Sequence, residues 1–330
     1  MPHNHSQPAT PEPPAAESAW EASLAARPDA LHALPDAPER FDIEGQLFQP
    51  GYLDPERLAT WQAVMGPYWP GLRADQARSF LSVDENPPDP RRAITPSDLA
   101  AFEAQARELN IAGLGYTDLP PAAIFRGKAV LFDRVIVLSQ AMDRARLDLA
   151  PSPQTLDMVM SSYYTLGRAI SRLVDWLRAR GYAAQAGHPL NGVALYPWLG
   201  QRAGLGWCGL HGLLITPPCG PSHRLGVIYT NLENLPLATE NDHAWIADLC
   251  ARCRQCRRLC PGQAIYAAPQ VHADGRRSHL DAAACFPHFA RDYGCSLCIQ
   301  VCPFHKHPYE RIRAAFTRRQ GRRSSTSARS

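Results

Sequence analysis

The sequence has no apolar run of the ~18 residues that a membrane-crossing helix needs, and only 8% of its 330 positions are aromatic. A chain built around a spanning helix is therefore excluded, and no membrane partner is expected. A strong charge of either sign is also missing. Thirty-four Lys and Arg against 31 Asp and Glu leave +3, too little to imply a nucleic-acid partner. With 45% hydrophobic residues, 20% charged residues and a mean hydropathy of −0.29, a wholly disordered chain is excluded too. The N-terminus, MPHNHSQPATPEPPAAESAW, lacks a basic n-region, an apolar h-region and a twin arginine. The expected compartment is thus the cytoplasm, where clustered cysteines hold metal more often than disulfides. What the sequence does have is ten cysteines and 31 prolines, and their placement carries the information.

The length suits one large domain or two ordinary ones. Residues 1–40, with Pro8, Pro11, Pro13 and Pro14 close together, read as a disordered Pro/Ala-rich tail with a short helix near Ala19–Ala26. At the other end, eight basic residues against one acid from Pro303 onward give +7 and leave −4 for the remainder. Residues 311–330 are expected to be a solvated basic tail, with RNA contact the less favoured reading. Between the tails, Thr95-Pro96-Ser97-Asp98 starts a helix that should run to about Leu109. The segment Ala129–Leu138 is strand-like, although Asp133 and Arg134 interrupt it. Ser152-Pro153 opens the longest helix, ending near Gly181, with an apolar stripe on Leu156, Val159, Tyr163, Leu166, Ile170, Leu173 and Leu177. Gly212–Thr216 and Leu225–Thr230 read as two strands joined by the Pro217–Pro221 turn.

From Cys250 the chain becomes cysteine-dense. Cys250-x2-Cys253-x2-Cys256-x3-Cys260-Pro261 is followed by Cys285 and then by Cys295-x2-Cys298-x3-Cys302-Pro303. In the bacterial ferredoxin pattern three cysteines hold one 4Fe–4S cube and the fourth, before proline, reaches the other. That rule gives one cluster on Cys250, Cys253, Cys256 and Cys302, and a second on Cys260, Cys285, Cys295 and Cys298. The alternative is a pair of zinc sites, but zinc knuckles usually present two separated CxxC pairs. Cys208 and Cys219 are left over and read as small buried or semi-exposed thiols. Far more chain precedes this module than an electron carrier needs, so chemistry is expected in the body.

The dense stretch Leu199–Leu232 is the candidate place for it. Gly204, Gly206 and Gly209 formally satisfy GxGxxG, but no strand leads in and no helix follows. The glycines fit a close backbone approach or a tight turn better. Ala203–Gly206, then Gly209-Leu210-His211-Gly212-Leu213-Leu214-Ile215-Thr216-Pro217, then Gly220-Pro221 and Arg224-Leu225 closely resemble the cobalamin-dependent reductive dehalogenases. At greater distance the same residues are similar to the tRNA-modifying epoxyqueuosine reductases. Cys285-Phe286 and Gly294-Cys295 through Phe304 fit the same families, and the resemblance covers about residues 150–307.

The resemblance implies an α+β chain with a nitroreductase-like α/β body (41–243) holding base-off cobalamin. A ferredoxin-like double 4Fe–4S module (244–310) would pass single electrons to cobalt from an external ferredoxin or flavodoxin, for reduction of a small organic substrate. Gly204, Gly206, Gly209, His211 and Gly212 become candidate cofactor contacts, although His211 also reads as a polar loop residue. A tyrosine proton donor assisted by a cation is implied near Tyr163-Tyr164, with Arg224 at the matching distance. Tyr164 is preferred because Tyr163 belongs to the apolar stripe and Tyr164 lies about 100° further around the helix. Arg224 also reads as a surface strand residue. Epoxyqueuosine reductases use an aspartate where this chain has Asn191, and an amide is no general acid, which weakens a tRNA-modifying role. A non-catalytic electron-transfer protein remains the other alternative.

Overall fold

The computed structural model describes residues 15–327. Its centre is a four-stranded antiparallel sheet in the order Gly113–Asp118, Arg134–Ala141, His223–Thr230 and Ala184–Gly187. Along the central pair, Ile136 stands opposite Ile228 and Val137 opposite Val227. Ile136, Leu138 and Ile228 point to one face, packed with Phe102, Leu166, Ile170 and Leu173. Val135, Val137, Val227 and Tyr229 point to the other, packed with Tyr196 and Leu199. Strands buried on both faces need apolar residues at successive positions, which explains the unbroken Val135–Leu138 run.

The helix covering the first face runs Pro153–Arg178. The Ser152 hydroxyl accepts from the Thr155 N–H at 3.1 Å, and Pro153 occupies the first turn without wasting a donor. Leu156, Leu166, Ile170, Leu173 and Leu177 of its stripe are fully buried. Each stabilises the fold by roughly 1.5–3 kcal/mol through lost contact with water. Gly226 lets this helix lie close on the sheet, since a Cβ there would stand 2.4 Å from Ile170 Cδ1. The helix Pro96–Glu108 starts as expected, with Thr95 Oγ1 accepting from the Asp98 N–H at 3.0 Å.

Four expectations are corrected. Residues 15–40 are not a tail: Ala15–Ala25 is helical, Leu24 is buried, and Leu31–His32 pairs with Ala129–Val130. Ion pairs from Arg40, Arg73 and Lys128 onto nearly buried Glu17 and Glu21 hold that helix, a stabilisation that Pro/Ala-rich composition conceals. Residues 1–14 lie outside the described residues. Residues 311–327 are likewise not a tail, because Tyr309–Ser327 is one helix whose Ile312 and Phe316 pack around Trp245 and Tyr309. The Ala129–Leu138 strand is two strands, because the chain turns at Leu131–Asp133 before Arg134–Ala141 enters the main sheet. The strands flanking the proline turn do not pair with each other. Leu214–Ile215 pairs with Trp207–Cys208, while His223–Thr230 joins the main sheet.

The cysteine-rich segment packs against the body around Phe304, Ile215 and Ile246. Its end is fastened by a chain of hydrogen bonds that runs from buried Ser222 and His305 to the exposed Asp148. Ser222 Oγ meets His305 Nδ1 at 2.7 Å, and His305 Nε2 meets Asp148 Oδ1 at 3.0 Å. Arg144 adds a bond to the His305 carbonyl at 2.9 Å.

Candidate functional site

Three of the first four cysteines come from a helix, a reversal and a short helix. Trp245–Cys253 carries Cys250 and Cys253, Arg254 turns the chain in a left-handed conformation (φ 52°), and Gln255–Arg258 presents Cys256. Cys302 arrives from the far end of the module. Together Cys250, Cys253, Cys256 and Cys302 line a small apolar cavity of about 20 Å³, closed by Leu210, His211 and Phe304. The second set is reached through Tyr293, Gly294, Cys295 and Ser296, four consecutive residues with positive φ. Such strained runs persist only where the surroundings hold them, and they gather at functional sites.

Burial and mutual repulsion raise most of these thiols, and Cys256 links the two sets, lying close to Cys260 and Cys298. Burial pushes the Cys302 thiol up to about 12, and the neighbouring Cys250, Cys256 and Cys253 add to the shift. Burial pushes Cys285 up to about 11, helped by Cys260 and Cys295, and raises Cys298 beside Cys295, Cys285, Cys256 and Cys260. All ten cysteines are free. Among the described residues no three His, Cys, Asp or Glu side chains close on a point tightly enough to hold one metal ion. Buried thiols crowded around a cavity lose their protons only to a bound cation or cationic cluster, which a thiolate-ligated iron–sulfur cube would supply. The residues present therefore fit that group.

The two remaining cysteines behave as expected. Burial holds Cys208 protonated, its pKa pushed to about 12, and its thiol donates to the Pro197 carbonyl at 3.4 Å. Cys219 is buried, and burial raises its pKa as well.

The glycine loop is folded against itself and its own chain. A Cβ on Gly206 would stand 2.0 Å from the Ile215 carbonyl oxygen, so only glycine fits. A Cβ on Gly209 would stand 2.8 Å from His211 Cε1, so this glycine makes room for the imidazole. Gly204 faces Ala238 and Gly212 faces His279. His211 is 3% exposed and lines the cysteine cavity. Its Nδ1 accepts from the Leu213 N–H at 3.1 Å, and burial lowers its pKa to about 4. These four glycines form no cradle around an open space.

The structure separates the two candidate tyrosines. The Arg224 guanidinium lies over the Tyr163 ring, 3.8 Å from its centroid, and Arg224 Nε donates to Ser162 Oγ at 3.2 Å. No carboxylate among the described residues pairs with Arg224. Tyr164 turns the other way, to Tyr68, Gly71 and Arg168. Both tyrosines are half-buried, and it is Tyr163, not the Tyr164 that the sequence prefers, that lies under Arg224, while Tyr164 has the more distant Arg168, 5.9 Å from its ring centroid. Arg224 Nη2 also reaches Met142 Sδ at 3.5 Å, and Met142 packs in one cluster with Ile299, the neighbour of Cys298.

Two groups escaped the sequence. One is the Ser222–His305–Asp148 chain, whose members share no local motif. The other surrounds Asn191, whose amide donates to Glu17 at 3.0 Å and to Glu44 at 2.9 Å. Arg73 pairs with both glutamates, and burial raises the Glu44 carboxyl above its ordinary range. His188, its pKa lowered to about 4 by burial, stands with Asn191, Gln76 and Tyr196 around a second, very small cavity of about 10 Å³.

No protein-family model matches the chain. The tetrachloroethene reductive dehalogenase of Sulfurospirillum multivorans is 30% identical over 184 residues, 53% of this chain and 36% of that protein. The epoxyqueuosine reductase of Francisella cf. novicida is 33% identical over 117 residues, 33% of this chain and 32% of that protein. This chain thus spans about a third of the length of these curated relatives. Among solved structures, the catabolic reductive dehalogenase NpRdhA has a TM-score of 0.62 at 18% identity, over 86% of this chain and 44% of that one. A second, described as suggesting a mechanism for B12-dependent dehalogenation, has a TM-score of 0.59 at 19% identity, over 74% and 39% of the two chains. These two likenesses are of fold. In sequence and in fold together, the chain is a relative of the reductive dehalogenases, with the epoxyqueuosine reductases as a second group of sequence relatives.

Proposed function

We propose that this protein is an iron–sulfur reductase that takes single electrons from an external ferredoxin or flavodoxin and reduces a small organic substrate, an organohalide being the first to test. The observation that carries the reading is the meeting of Cys302 with Cys250, Cys253 and Cys256 around one apolar cavity. That pairing across the module is the crossed ligation of a two-cluster ferredoxin. Cys250, Cys253, Cys256 and Cys302 would hold one 4Fe–4S cluster, and Cys260, Cys285, Cys295 and Cys298 the other. Bound there, the clusters supply one-electron transfer. The cysteine segment, from about residue 244 through the helix that ends at Ser327, then serves as the ferredoxin-like module. The sheet and its helices serve as a nitroreductase-like body.

The chain's own residues supply the proton. A tyrosine hydroxyl, with an ordinary pKa near 10, is a useful general acid when a cation stabilises the phenolate it leaves behind. Tyr163 under the Arg224 guanidinium has that arrangement, and Ser162 fixes the guanidinium's orientation. Cobalamin as the final electron acceptor rests on the relatives. The glycines expected to cradle it are pressed against Ile215, His211, His279 and Ala238, so they do not fit that role and no step is assigned through it.

The test is anaerobic reconstitution followed by iron and acid-labile sulfide analysis, then incubation with hydroxocobalamin. Iron and sulfide in the amounts of two cubes support the cluster assignment. Retained base-off corrinoid supports a dehalogenase-like reductase. Clusters without retained corrinoid support a non-catalytic electron carrier. A second reading, reduction of epoxyqueuosine in tRNA, is favoured by one observation. The acid that the sequence lacks at Asn191 is supplied in space by Glu44, a carboxyl with a raised pKa 2.9 Å from the Asn191 amide. Loss of epoxyqueuosine from tRNA incubated with the reduced protein decides it.

A further inference from the structure

His211 is the one buried polar group whose free atom borders the cysteine cavity without a partner. Its ring is 3% exposed and lines the same cavity as Cys250, Cys253, Cys256 and Cys302. Nδ1 accepts the Leu213 N–H at 3.1 Å, so in the neutral ring the proton sits on Nε2. That Nε2–H has no acceptor among the described residues. Leaving a buried donor unsatisfied costs about 1–3 kcal/mol, and native chains rarely tolerate it without a ligand to receive the bond.

The local sequence is arranged to hold the ring in this pose. Gly209 leaves the space that its Cβ would take from Cε1, and Gly212 reverses the chain at φ +81° so that the Leu213 N–H points back to Nδ1. Apart from Arg254, which spends its Nε–H on the Ala251 carbonyl at 2.8 Å, the rest of the cavity wall is apolar (Leu210, Leu249, Pro303 and Phe304) or thiol.

We infer that His211 Nε2–H donates a hydrogen bond to a sulfur of the cluster held by Cys250, Cys253, Cys256 and Cys302, and so raises that cluster's reduction potential. The inference rests on the cluster assignment proposed above. Its physical basis is that hydrogen bonds to cluster sulfurs stabilise the more negative, reduced form. His211 is on this account a positioning and tuning residue, acting through the cluster.

The experiment uses the full-length reconstituted protein, with EPR-monitored redox titration of the wild type, His211→Leu and His211→Gln. Glutamine places an amide N–H where Nε2 stood. With wild-type iron and sulfide content, His211→Leu is expected to lower the reduced-to-oxidised ratio of one cluster about tenfold at fixed poise, about 59 mV for a one-electron couple. The other cluster stays in place, and His211→Gln recovers most of the difference. Unchanged midpoints in His211→Leu, or equal shifts of both clusters, overturn the assignment. Should the leucine variant fail to assemble, the wild type labelled with ¹⁵N-histidine gives the answer. A weak ¹⁵N coupling on one reduced cluster is expected, and its absence overturns the inference. Absence of iron and sulfide from the reconstituted wild type overturns the cluster reading itself. Clusters present but indifferent to His211 overturn this inference alone.

Discussion

Arg224 lies over the ring of Tyr163, its guanidinium carbon 3.8 Å from the centroid, while Tyr164 on the same helix contacts Tyr68 and Arg168. One residue's difference in register therefore decides which phenol meets Arg224. Tyr163→Phe is expected to lower dehalogenation of a halophenol by a chemically reduced enzyme about 10²-fold or more, the usual worth of a positioned general acid. Tyr164→Phe should stay within a few-fold of the wild type. Equal loss in both, or loss only in Tyr164→Phe, would remove the Tyr163 assignment.

Cys302 is 49 positions from Cys253 in the sequence yet lines the same cavity. Cys302→Ser should cost about one cluster's share of iron and sulfide and leave the spectrum of the other. Cys208→Ser and Cys219→Ser should retain wild-type content, since neither thiol faces a quartet. Full iron content in Cys302→Ser would refute the crossed pairing.

The Ser222–His305–Asp148 chain closes the interface between cysteine segment and body. Both Ser222 and His305 are buried, so removing one leaves the other's hydrogen-bonding group unsatisfied, at about 1–3 kcal/mol. Ser222→Ala should lower the urea midpoint by a corresponding amount. The expected effect on cluster content is small, because no ligand is touched.

His188 and His223 are buried, and burial lowers the pKa of each from 6.5 to about 4. Their folded pKa lies below the unfolded one, so the unfolded chain takes up protons that the folded chain refuses. The stability they permit is complete above about pH 6.5 and is lost as pH falls from there toward 4. Between pH 6.5 and pH 5 each should cost about 2 kcal/mol. Urea unfolding across that range measures the slope, and His188→Gln should flatten it. An unchanged slope in that variant would show that His188 titrates normally.

Arg252, Arg254 and Arg258 are exposed beside Cys253 and Cys256, with Leu259 57% exposed among them and no carboxylate paired to these arginines among the described residues. Such a patch suits an acidic electron donor. The rate of reduction by an acidic ferredoxin should fall steeply with salt and drop in Arg254→Glu, while reduction by dithionite is unaffected. Salt-independent reduction by the ferredoxin would place the donor elsewhere.

Features written in short stretches of chain were legible. The Pro153–Arg178 helix announces itself through a stripe at 3.6-residue spacing and a serine cap. The cysteine spacing pointed to Cys250, Cys253, Cys256 and Cys302, which the structure brings to one cavity. Contacts between distant segments were not legible. Glu17 sits in a Pro/Ala-rich stretch with no periodicity, and what orders it is Arg40, Arg73 and the Asn191 amide, the last 174 positions away. Which of Tyr163 and Tyr164 meets Arg224 was not legible for a related reason. An apolar stripe reports which residues face inward, and an inward-facing tyrosine at the margin of a core still meets a strand-borne arginine. The C-terminal helix was misread because its arginine density masks the two apolar residues, Ile312 and Phe316, that dock it.

Ser222 stands two residues before Arg224, and His305 stands three residues after Cys302. Their 2.7 Å hydrogen bond therefore joins the strand that carries the cation to the loop that carries a cluster ligand. On the proposed function, proton supply and electron supply are mounted on one strut. A motion that loosens the cysteine segment must shift the Arg224 strand or break this bond. A reductase built this way would deliver the two particles in step, and would be poorly suited to exchanging its cluster module for another of different length.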